Sequence, residues 1–384
     1  MNLKKSFKQI LTSNFDTVSD IHSVSANNIR TILNVPNYSY HDVTVSNFGG
    51  ISVGLDDNSS YAVKSGDERA AVLYYFNNIY DTAYVQGTKT PLRIIFPNSY
   101  LAHANSMTVD DDYIYIAMWG DKPSNEDKKN KIMRIKRKYV PLVKDEAVVH
   151  KIPCSNDMYE VTLNTGRKVN FCQEFSVTYS DGDIYPFSIT QIAACSQDKA
   201  NCITKFIMNA GMNLSNNRNY TIATLKKDRI TVEKDEYFTL THKLPRDMIT
   251  SQDIFYNSEY GLYVLFWAYN GASKKGSPIK NYIVRYNINP LKNNTSRKFA
   301  QIEPSSIVSV HARASQYKKY EMESLAFVCR DKYKNKLAKP RFIFSVNSEI
   351  DRNSNTDSIE EIIYNSKDSA VVNLYSNFWK YSEF

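Results

Sequence analysis

Polar residues whose side chains could do chemistry recur just ahead of segments that alternate between apolar and polar residues. Each set precedes a predicted strand, and together they comprise His103, Asn105, Gln173, Glu174, Gln252, Asp253, Glu321 and Glu323. If these strands line one channel, the eight side chains gather in a polar funnel at its mouth. Carboxylate and amide oxygens suit a polar ligand such as a sugar, or a hard cation such as Ca²⁺. The alternative is that they only satisfy strand ends and bind channel waters.

Two other motifs do not predict a catalytic site. Gly50–Gly54 matches the G-x-S-x-G pattern of nucleophilic serines, but a turn and a second strand follow it where the pattern requires a helix. The acidic clusters Asp110–Asp112 and Asp181–Asp183 lack the full frame of a calcium-binding loop. We therefore expect both clusters to be hairpin turns.

The element that would position the funnel is clearest in Leu101–Gly120. Ser106–Val109 alternates between polar and apolar residues, Asp110–Asp112 is a polar turn, and Tyr113–Ala117 is apolar and aromatic. Alternation, a turn and a β-branched or aromatic run predict an antiparallel hairpin.

The same pattern recurs along the chain. Its first apolar positions are Met107, Val177, Ile254 and Leu325, separated by 70, 77 and 71 residues, with a weaker match at Ile51. Recurring hairpins predict an all-β fold, a β-propeller with five blades on this count; a β-sandwich is the alternative. Residues 1–40 are predicted to be an irregular lead-in. Residues 41–384 are predicted to form one propeller domain closed by a C-terminal strand, Ala370–Trp379.

Composition narrows the class of protein. The chain has 384 residues and a net charge of +8, a mildly basic balance that makes nucleic acid an unlikely partner. Basic residues concentrate in Lys128–Lys138 and Lys332–Arg341, which are expected to be a solvated face or a site for an anionic polymer. Five cysteines cannot all pair, and free, packed thiols are favoured over the pairs Cys195–Cys202 and Cys154–Cys172.

The N-terminal residues and the longest apolar run predict where in or outside the cell the protein is found. Met1–Lys8 is not followed by the apolar stretch of a secretory signal, and the longest apolar run, Tyr260–Tyr269, is too short to cross a bilayer. The sequence therefore predicts a soluble monomer without a transmembrane segment. It is expected in the cytoplasm, or outside the cell after lysis or non-classical export; the alternative is that the sequence is the mature form of a longer precursor.

One segment resembles a known family. His103–Thr108, with the sequence HANSMT, followed by Asp110–Ile116, is similar to a motif of the helveticin J family, large bacteriocins and related proteins of Gram-positive bacteria and their phages. The segment Glu321–Ser324 is similar to an acidic element of that family, with Ser324 where the family has glycine. The resemblance implies a five-bladed propeller.

Two classes of function compete. The first is a bacteriocin-like recognition propeller without enzymatic activity, which binds a bacterial cell-surface glycan or anionic polymer. The second is a metal-assisted hydrolase or lyase in which His103, Glu174, Asp253 and Glu323 are ligands or acid–base groups. Because Phe175 interrupts one ring of polar positions, the sequence favours the first class and a protein that is not an enzyme.

Overall fold

The computed structural model describes residues 21–35, 38–45, 47–53, 59–214, 217–234, 236–244, 249–257, 261–268, 280–288, 300–310, 319–328, 341–349, 355–363, 365 and 367–375. Within these residues the fold is all-β, as the alternating pattern predicts. The strands of the first half are β1 (His22–Ser23), β2 (Ile29–Val35), β3 (Tyr38–Tyr40), β4 (Val43–Val45), β5 (Asn47–Val53), β6 (Ser59–Lys64), β7 (Ala71–Phe76), β8 (Leu92–Phe96), β9 (Ser106–Val109), β10 (Tyr113–Ala117), β11 (Lys131–Lys136), β12 (Glu146–Val148), β13 (His150–Lys151), β14 (Met158–Thr162) and β15 (Lys168–Tyr179).

The strands of the second half are β16 (Ile192–Asp198), β17 (Ile203–Leu214), β18 (Asn217–Lys226), β19 (Arg229–Val232), β20 (Phe238–Thr241), β21 (Ile249–Asn257), β22 (Gly261–Ala268), β23 (Lys280–Tyr286), β24 (Ala300–Ile302), β25 (Ser306–Val310), β26 (Lys319–Val328), β27 (Arg341–Glu349) and β28 (Asn355–Ile362). Helical structure in the described residues consists of α1 (Thr82–Val85), α2 (Ser369–Tyr375) and the 3-10 segments Ala26–Asn28, Glu126–Lys128 and Arg137–Leu142.

Most of the described strands form antiparallel units of four. These units are β5–β6–β7–β8, β9–β10–β11–β15, β16–β17–β18–β19, β21–β22–β23–β25 and β26–β27–β28–β2. Parallel pairing adds β12 to the outer edge of the first unit and β1 to that of the fourth. The end of β15 also pairs with β19, which joins the second and third units into one larger sheet.

The first strands of these units surround a channel. β5, β9, β16, β21 and β26 contact one another in that order, and β26 contacts β5 to complete the ring. At one end of the channel they line a cavity of about 230 Å³, whose wall includes Ile51, Met107, Ala194, Ile254 and Leu325. This radial arrangement around a central channel is of the β-propeller type.

The hydrophobic core is divided among the interfaces between units. Leu73 of the first unit and Ile114 of the second share one buried cluster, and Val72 of the first shares another with Ile359 of the fifth. Three further clusters occupy the remaining interfaces. Each unit therefore buries its apolar faces against its two neighbours, and its stability depends on them.

The predicted register is wrong for one unit. Met107, Ile254, Leu325 and the weaker match Ile51 all lie on first strands, whereas Val177 lies near the end of β15, the outer strand of the second unit. The first strand of the third unit is β16, whose sequence IAACSQD is rich in small residues. Small residues have weaker β-propensity than aromatic and β-branched ones, so the sequence signal of β16 is faint.

The predicted closing strand is also wrong. Ser369–Tyr375 is helical, and residues 376–379 lie outside the described residues. The ring is closed by β2, which belongs to the predicted irregular lead-in and pairs antiparallel with β28, Ile29 lying opposite Ile362. The helix α2 instead packs Ala370 and Leu374 into the core between the fourth and fifth units.

The basic segment 128–138 is largely committed to contacts within the protein. Lys131 binds Glu174 at 2.5 Å, and the guanidinium of Arg134 lies over the rings of Tyr113 and Phe175. Apart from Arg341, the second basic segment lies outside the described residues.

The cysteines and helices add two observations. Cys154, Cys172, Cys195 and Cys202 are free thiols, and Cys329 lies outside the described residues. In the part of the chain that the structure describes, every helix is too short or too polar to cross a membrane.

Candidate functional site

Polar side chains gather at the end of the channel away from the apolar cavity, where the first strands begin. Because the second strand of each unit runs antiparallel to the first, the loop after each second strand returns to this same end. We call this group the polar mouth. It comprises Lys64, Glu68, His103, Asn105, Asp121, Gln252 and Glu323, which are linked by hydrogen bonds or by electrostatic interaction.

Close approach of the first and second units fixes the position of His103. The N–H of Gly50 donates to the carbonyl oxygen of Ala104 at 2.7 Å, and a Cβ at Gly49 would lie only 2.3 Å from that oxygen. Ala102 and Ala104, on either side of His103, have left-handed φ angles of 49° and 52°. Such strain in residues other than glycine is uncommon, and it concentrates at functional sites.

His103 joins a cluster with two carboxyl groups. Its Nδ1 lies 2.6 Å from Oε1 of Glu68 and 3.8 Å from Oδ1 of Asp121. Burial, together with the ammonium group of Lys64, lowers the pKa of His103 to about 3, so the imidazole is neutral near pH 7. Its Nδ1–H therefore donates to Glu68.

Glu68 and Asp121 form a carboxyl pair. Glu68 is buried, and its Oε2 accepts a hydrogen bond from Nδ2 of Asn125 at 2.7 Å. Burial and a hydrogen bond with Glu68 raise the pKa of Asp121 above its usual value. A hydrogen bond between Asp121 and a neighbouring carboxyl group favours the protonated form of Asp121. The side chain of Asp121 is 28% exposed and that of Glu68 is not exposed, so Asp121 is the member that solvent and ligands can reach.

The same cluster is a possible metal site, but it does not fit the Ca²⁺ expected in the channel. Ligand atoms of Glu68, His103 and Asp121 lie within 4.8 Å of one another. Calcium takes about six to eight oxygen ligands, whereas this cluster offers two carboxyl groups and an imidazole. Both oxygens of Glu68 are already engaged, by His103 and Asn125. The ammonium group of Lys64 also opposes a cation here.

Lys64 is a buried cation at the end of β6. The residue is 7% exposed, and burial lowers its pKa although the nearby carboxyl groups of Glu68, Glu323 and Asp121 oppose that shift. Among the described residues, none forms a hydrogen bond or an ion pair with its ammonium group.

Besides His103, three of the predicted funnel residues lie at the polar mouth and are linked to one another by hydrogen bonds. Nε2 of Gln252 donates to Oε2 of Glu323 at 3.0 Å, and Nδ2 of Asn105 donates to the backbone oxygens of Thr190 and Gln252 at 2.6 and 3.4 Å. Burial, and then the neighbouring carboxylate of Glu321, raise the pKa of Glu323 well above its usual value. Glu323 is therefore favoured as the neutral acid.

Glu321 and Asp253 lie beside the mouth but are already engaged. Glu321 is buried and forms an ion pair with Lys319. Asp253 is completely buried and accepts hydrogen bonds from the hydroxyl of Ser106 at 2.6 Å and from the N–H of Leu325 at 3.0 Å. It links the second, fourth and fifth units, so its role in the structure is to join the wall of the channel.

Gln173 and Glu174 do not reach the mouth, because they belong to the outer strand β15. Burial alone would raise the pKa of Glu174, but hydrogen bonds from Lys128 and Lys131 lower it. In the third unit the position ahead of the first strand belongs to Gln191, which is buried and accepts a hydrogen bond from the hydroxyl of Tyr220 at 2.8 Å.

Sequence reasoning missed Lys64, Glu68 and Asp121. All three end or follow a second strand, so they lie on the loops that return to the mouth. A signal was present: Lys64 is a charged residue directly after the apolar run Tyr61–Val63, and Asp121 follows the strongest hairpin of the chain. The hairpin topology then predicts which end these loops occupy.

An aromatic side chain borders the cluster. The ring of Trp119 lies 4.4 Å from the imidazole of His103 between centroids, and the residue is partly exposed. Its backbone has a left-handed φ of 41°. An indole ring presents an apolar face together with a polar N–H, which suits ligands that have both characters.

Comparisons with known proteins place these observations in context. No family model and no curated protein matches the chain, so its similarity to the helveticin J family stays a prediction. Among solved structures, α-L-arabinofuranosidase from Lactobacillus brevis is similar at 8% identity and a TM-score of 0.41, covering 90% of this chain and 96% of that one. A levansucrase variant of B. megaterium is similar at 10% identity and a TM-score of 0.39, covering 91% and 90%. A levansucrase variant of Bacillus subtilis has the same identity and score and covers 94% of each chain.

These comparisons contradict one expectation from the sequence. The sequence favours a protein that is not an enzyme, whereas the similar structures named above are enzymes. At such low identities and TM-scores, no residue role and no substrate is transferred from them to this chain.

Proposed function

We propose that the protein is a five-bladed β-propeller enzyme that cleaves or transfers glycosidic bonds at the polar mouth. The observation that carries this proposal is a pair of carboxyl groups, Glu323 and Asp121, whose pKa values are both raised near one buried cation, Lys64. Cleavage of a glycosidic bond uses one carboxylic acid to protonate the leaving oxygen and a second carboxyl group as base or nucleophile.

The environments of the two groups suggest their roles. Glu323 is the proton donor, because burial favours its neutral form and the amide of Gln252 orients it. Asp121 is the second carboxyl group, because it is the exposed member of its pair and its ion pair with Lys122 at 3.5 Å favours the carboxylate. The imidazole of His103, whose Nδ1 lies 2.6 Å from Oε1 of Glu68, holds Glu68 in place beside Asp121.

Other features of the mouth suit a carbohydrate. The partly exposed ring of Trp119 offers an apolar face on which a sugar ring can pack. The amides of Asn105 and Gln252 supply directional hydrogen-bonding groups nearby.

Release of reducing ends from a panel of plant and bacterial polysaccharides tests the proposal. We expect Glu323→Gln and Asp121→Asn each to lower kcat by about 100-fold to 10,000-fold, because general acid–base catalysis contributes that much. Glu126→Gln is the matched control, since the Glu126 side chain is 70% exposed on a neighbouring 3-10 turn. Full activity in both mouth variants, or no turnover of any glycan by the wild type, would show that the proposal is wrong.

A further inference from the structure

Lys64 is the one charged residue of the polar mouth to which the proposed reaction gives no role. It is 7% exposed, and its ammonium group has no hydrogen bond or ion pair with any residue that the structure describes. Burying an ammonium group without a partner is costly, because the lost hydration is not replaced. A buried cation of this kind in a polar cleft is typical of a binding group.

The charges around Lys64 favour an anion over a cation as its partner. Glu323 and Asp121 form no ion pair with it, and the raised pKa of Glu323 favours the neutral form of that residue. The carboxylate of Glu68 is committed to His103 and Asn125. Lys122 forms an ion pair with Asp121 at 3.5 Å, so the charge of Asp121 is engaged by a cation other than Lys64. The mouth therefore holds an ammonium group that interacts with the charge of Glu68 but that no carboxylate of the described residues contacts directly.

We propose that Lys64 binds the carboxylate of an acidic sugar, so that the substrate is a glycan containing uronic acid. This inference rests on the proposed function and adds the class of substrate. A carboxylate forms a charge-assisted hydrogen bond with an ammonium group and replaces the missing partner. The neutral form of Glu323 allows the carboxylate of a ligand to enter without strong repulsion from that residue.

Calorimetric titration of the full chain with tetragalacturonate, and with its carboxyl-reduced neutral counterpart, measures this preference. We expect the wild type to bind the acidic ligand at least about 30-fold more tightly, the lower bound for a desolvated charge pair. Lys64→Gln should remove the preference and Lys64→Arg should retain part of it. Lys168→Gln should change the affinity by less than about threefold, because the Lys168 side chain is 64% exposed on the outer strand β15 and does not belong to the polar mouth. A sulfated oligosaccharide distinguishes a carboxylate site from a general anion site.

Thermal unfolding separates binding from a structural role. Because Lys64 has no partner to lose, Lys64→Met should leave the Tm unchanged or raise it. A fall of several degrees with the preference intact would make Lys64 a structural counter-charge. Equal affinity for the acidic and neutral ligands, or a preference for the sulfated ligand, would overturn the inference and leave the proposed function standing. Failure to bind or cleave any glycan would overturn both.

Discussion

At the scale of single residues, Asp253 shows how one carboxyl group can join three units. Its Oδ1 accepts hydrogen bonds from the hydroxyl of Ser106 and the N–H of Ile254, and its Oδ2 accepts one from the N–H of Leu325. Burial nevertheless dominates and raises the pKa of Asp253 to about 7. The protonation of this residue therefore contributes to the stability of the channel wall.

The pH dependence of the Asp253→Asn variant tests this contribution. The folded pKa lies above the unfolded value, so the stabilisation is complete below about pH 4 and is lost as the pH rises to about 7. The loss is at most about 4 kcal/mol, at about 1.4 kcal/mol per pH unit. Because asparagine does not titrate, the free-energy cost of the variant should shrink over this range in urea unfolding.

A neutral substitution nearby provides the control for that experiment. Ser324 is buried, and its hydroxyl lies 2.6 Å from that of Ser345. The cost of Ser324→Ala should not change with pH, because no proton is bound or released. A cost of Asp253→Asn that grows between pH 4 and 7 would mean that Asp253 is ionised in the folded protein.

The residues of the mouth show what a sequence can predict about a site. His103, Asn105, Gln252 and Glu323 were expected at one mouth because each comes shortly before the first apolar residue of a clear alternating pattern. His103 and Asn105 precede β9, whereas Gln252 and Glu323 lie within β21 and β26. Gln173 and Glu174 were misplaced because the end of β15 and the turn after it imitate such a hairpin. The interaction of Lys64 with Asp121 depends on contact between two units, and no local pattern encodes such contacts.

At the scale of elements, the hairpin β9–β10 was predicted to the residue, because its strands and turn all follow local rules. The strand β16 was missed because its small residues carry little local signal. The strand β2 was missed because its pairing with β28 spans nearly the whole chain. Local propensity therefore predicts hairpins well and ring closure poorly.

Gly50 is the point at which two of these elements meet most closely. A Cβ at Gly50 would lie 2.4 Å from the backbone nitrogen of Met107 on β9. Gly50→Ala should therefore push β5 and β9 apart and lower the free energy of unfolding by about 3 kcal/mol, the upper part of the usual range for overpacking. It should also weaken glycan cleavage, because Ala104 and His103 lie directly beside this contact.

Gly87→Ala is the control for the Gly50 substitution. Gly87 has a φ of 71°, and a Cβ there would meet nothing within 4 Å. The variant should cost about 1 kcal/mol from backbone strain alone and leave activity intact. Equal costs for the two substitutions, measured by urea unfolding, would show that β5 can move away from β9 without loss.

At the scale of the whole molecule, stability is distributed around the ring. The core clusters lie between units, so removing contacts at one interface exposes apolar surface of two units. The fifth unit differs from the others because its strands β2 and β28 come from opposite ends of the chain. Their pairing closes the ring beside the interface with the first unit. A substitution that weakens this closure should therefore lower the stability of the entire molecule.

Ile32→Ala in β2 tests that cooperativity. Ile32 is 6% exposed and packs in a cluster with Val72 of the first unit and Ile343 and Ile359 of the fifth. The variant should lower the free energy of unfolding by about 2–5 kcal/mol, the usual cost of a buried isoleucine truncated to alanine. Asn34→Ala, at an exposed position on the same strand, should cost less than about 0.5 kcal/mol. Far-UV circular dichroism and tryptophan fluorescence should report the same shifted urea transition for Ile32→Ala, because opening the ring unfolds all units together. If β2 detached locally while both main transitions kept their wild-type midpoints, the units would be stable without ring closure.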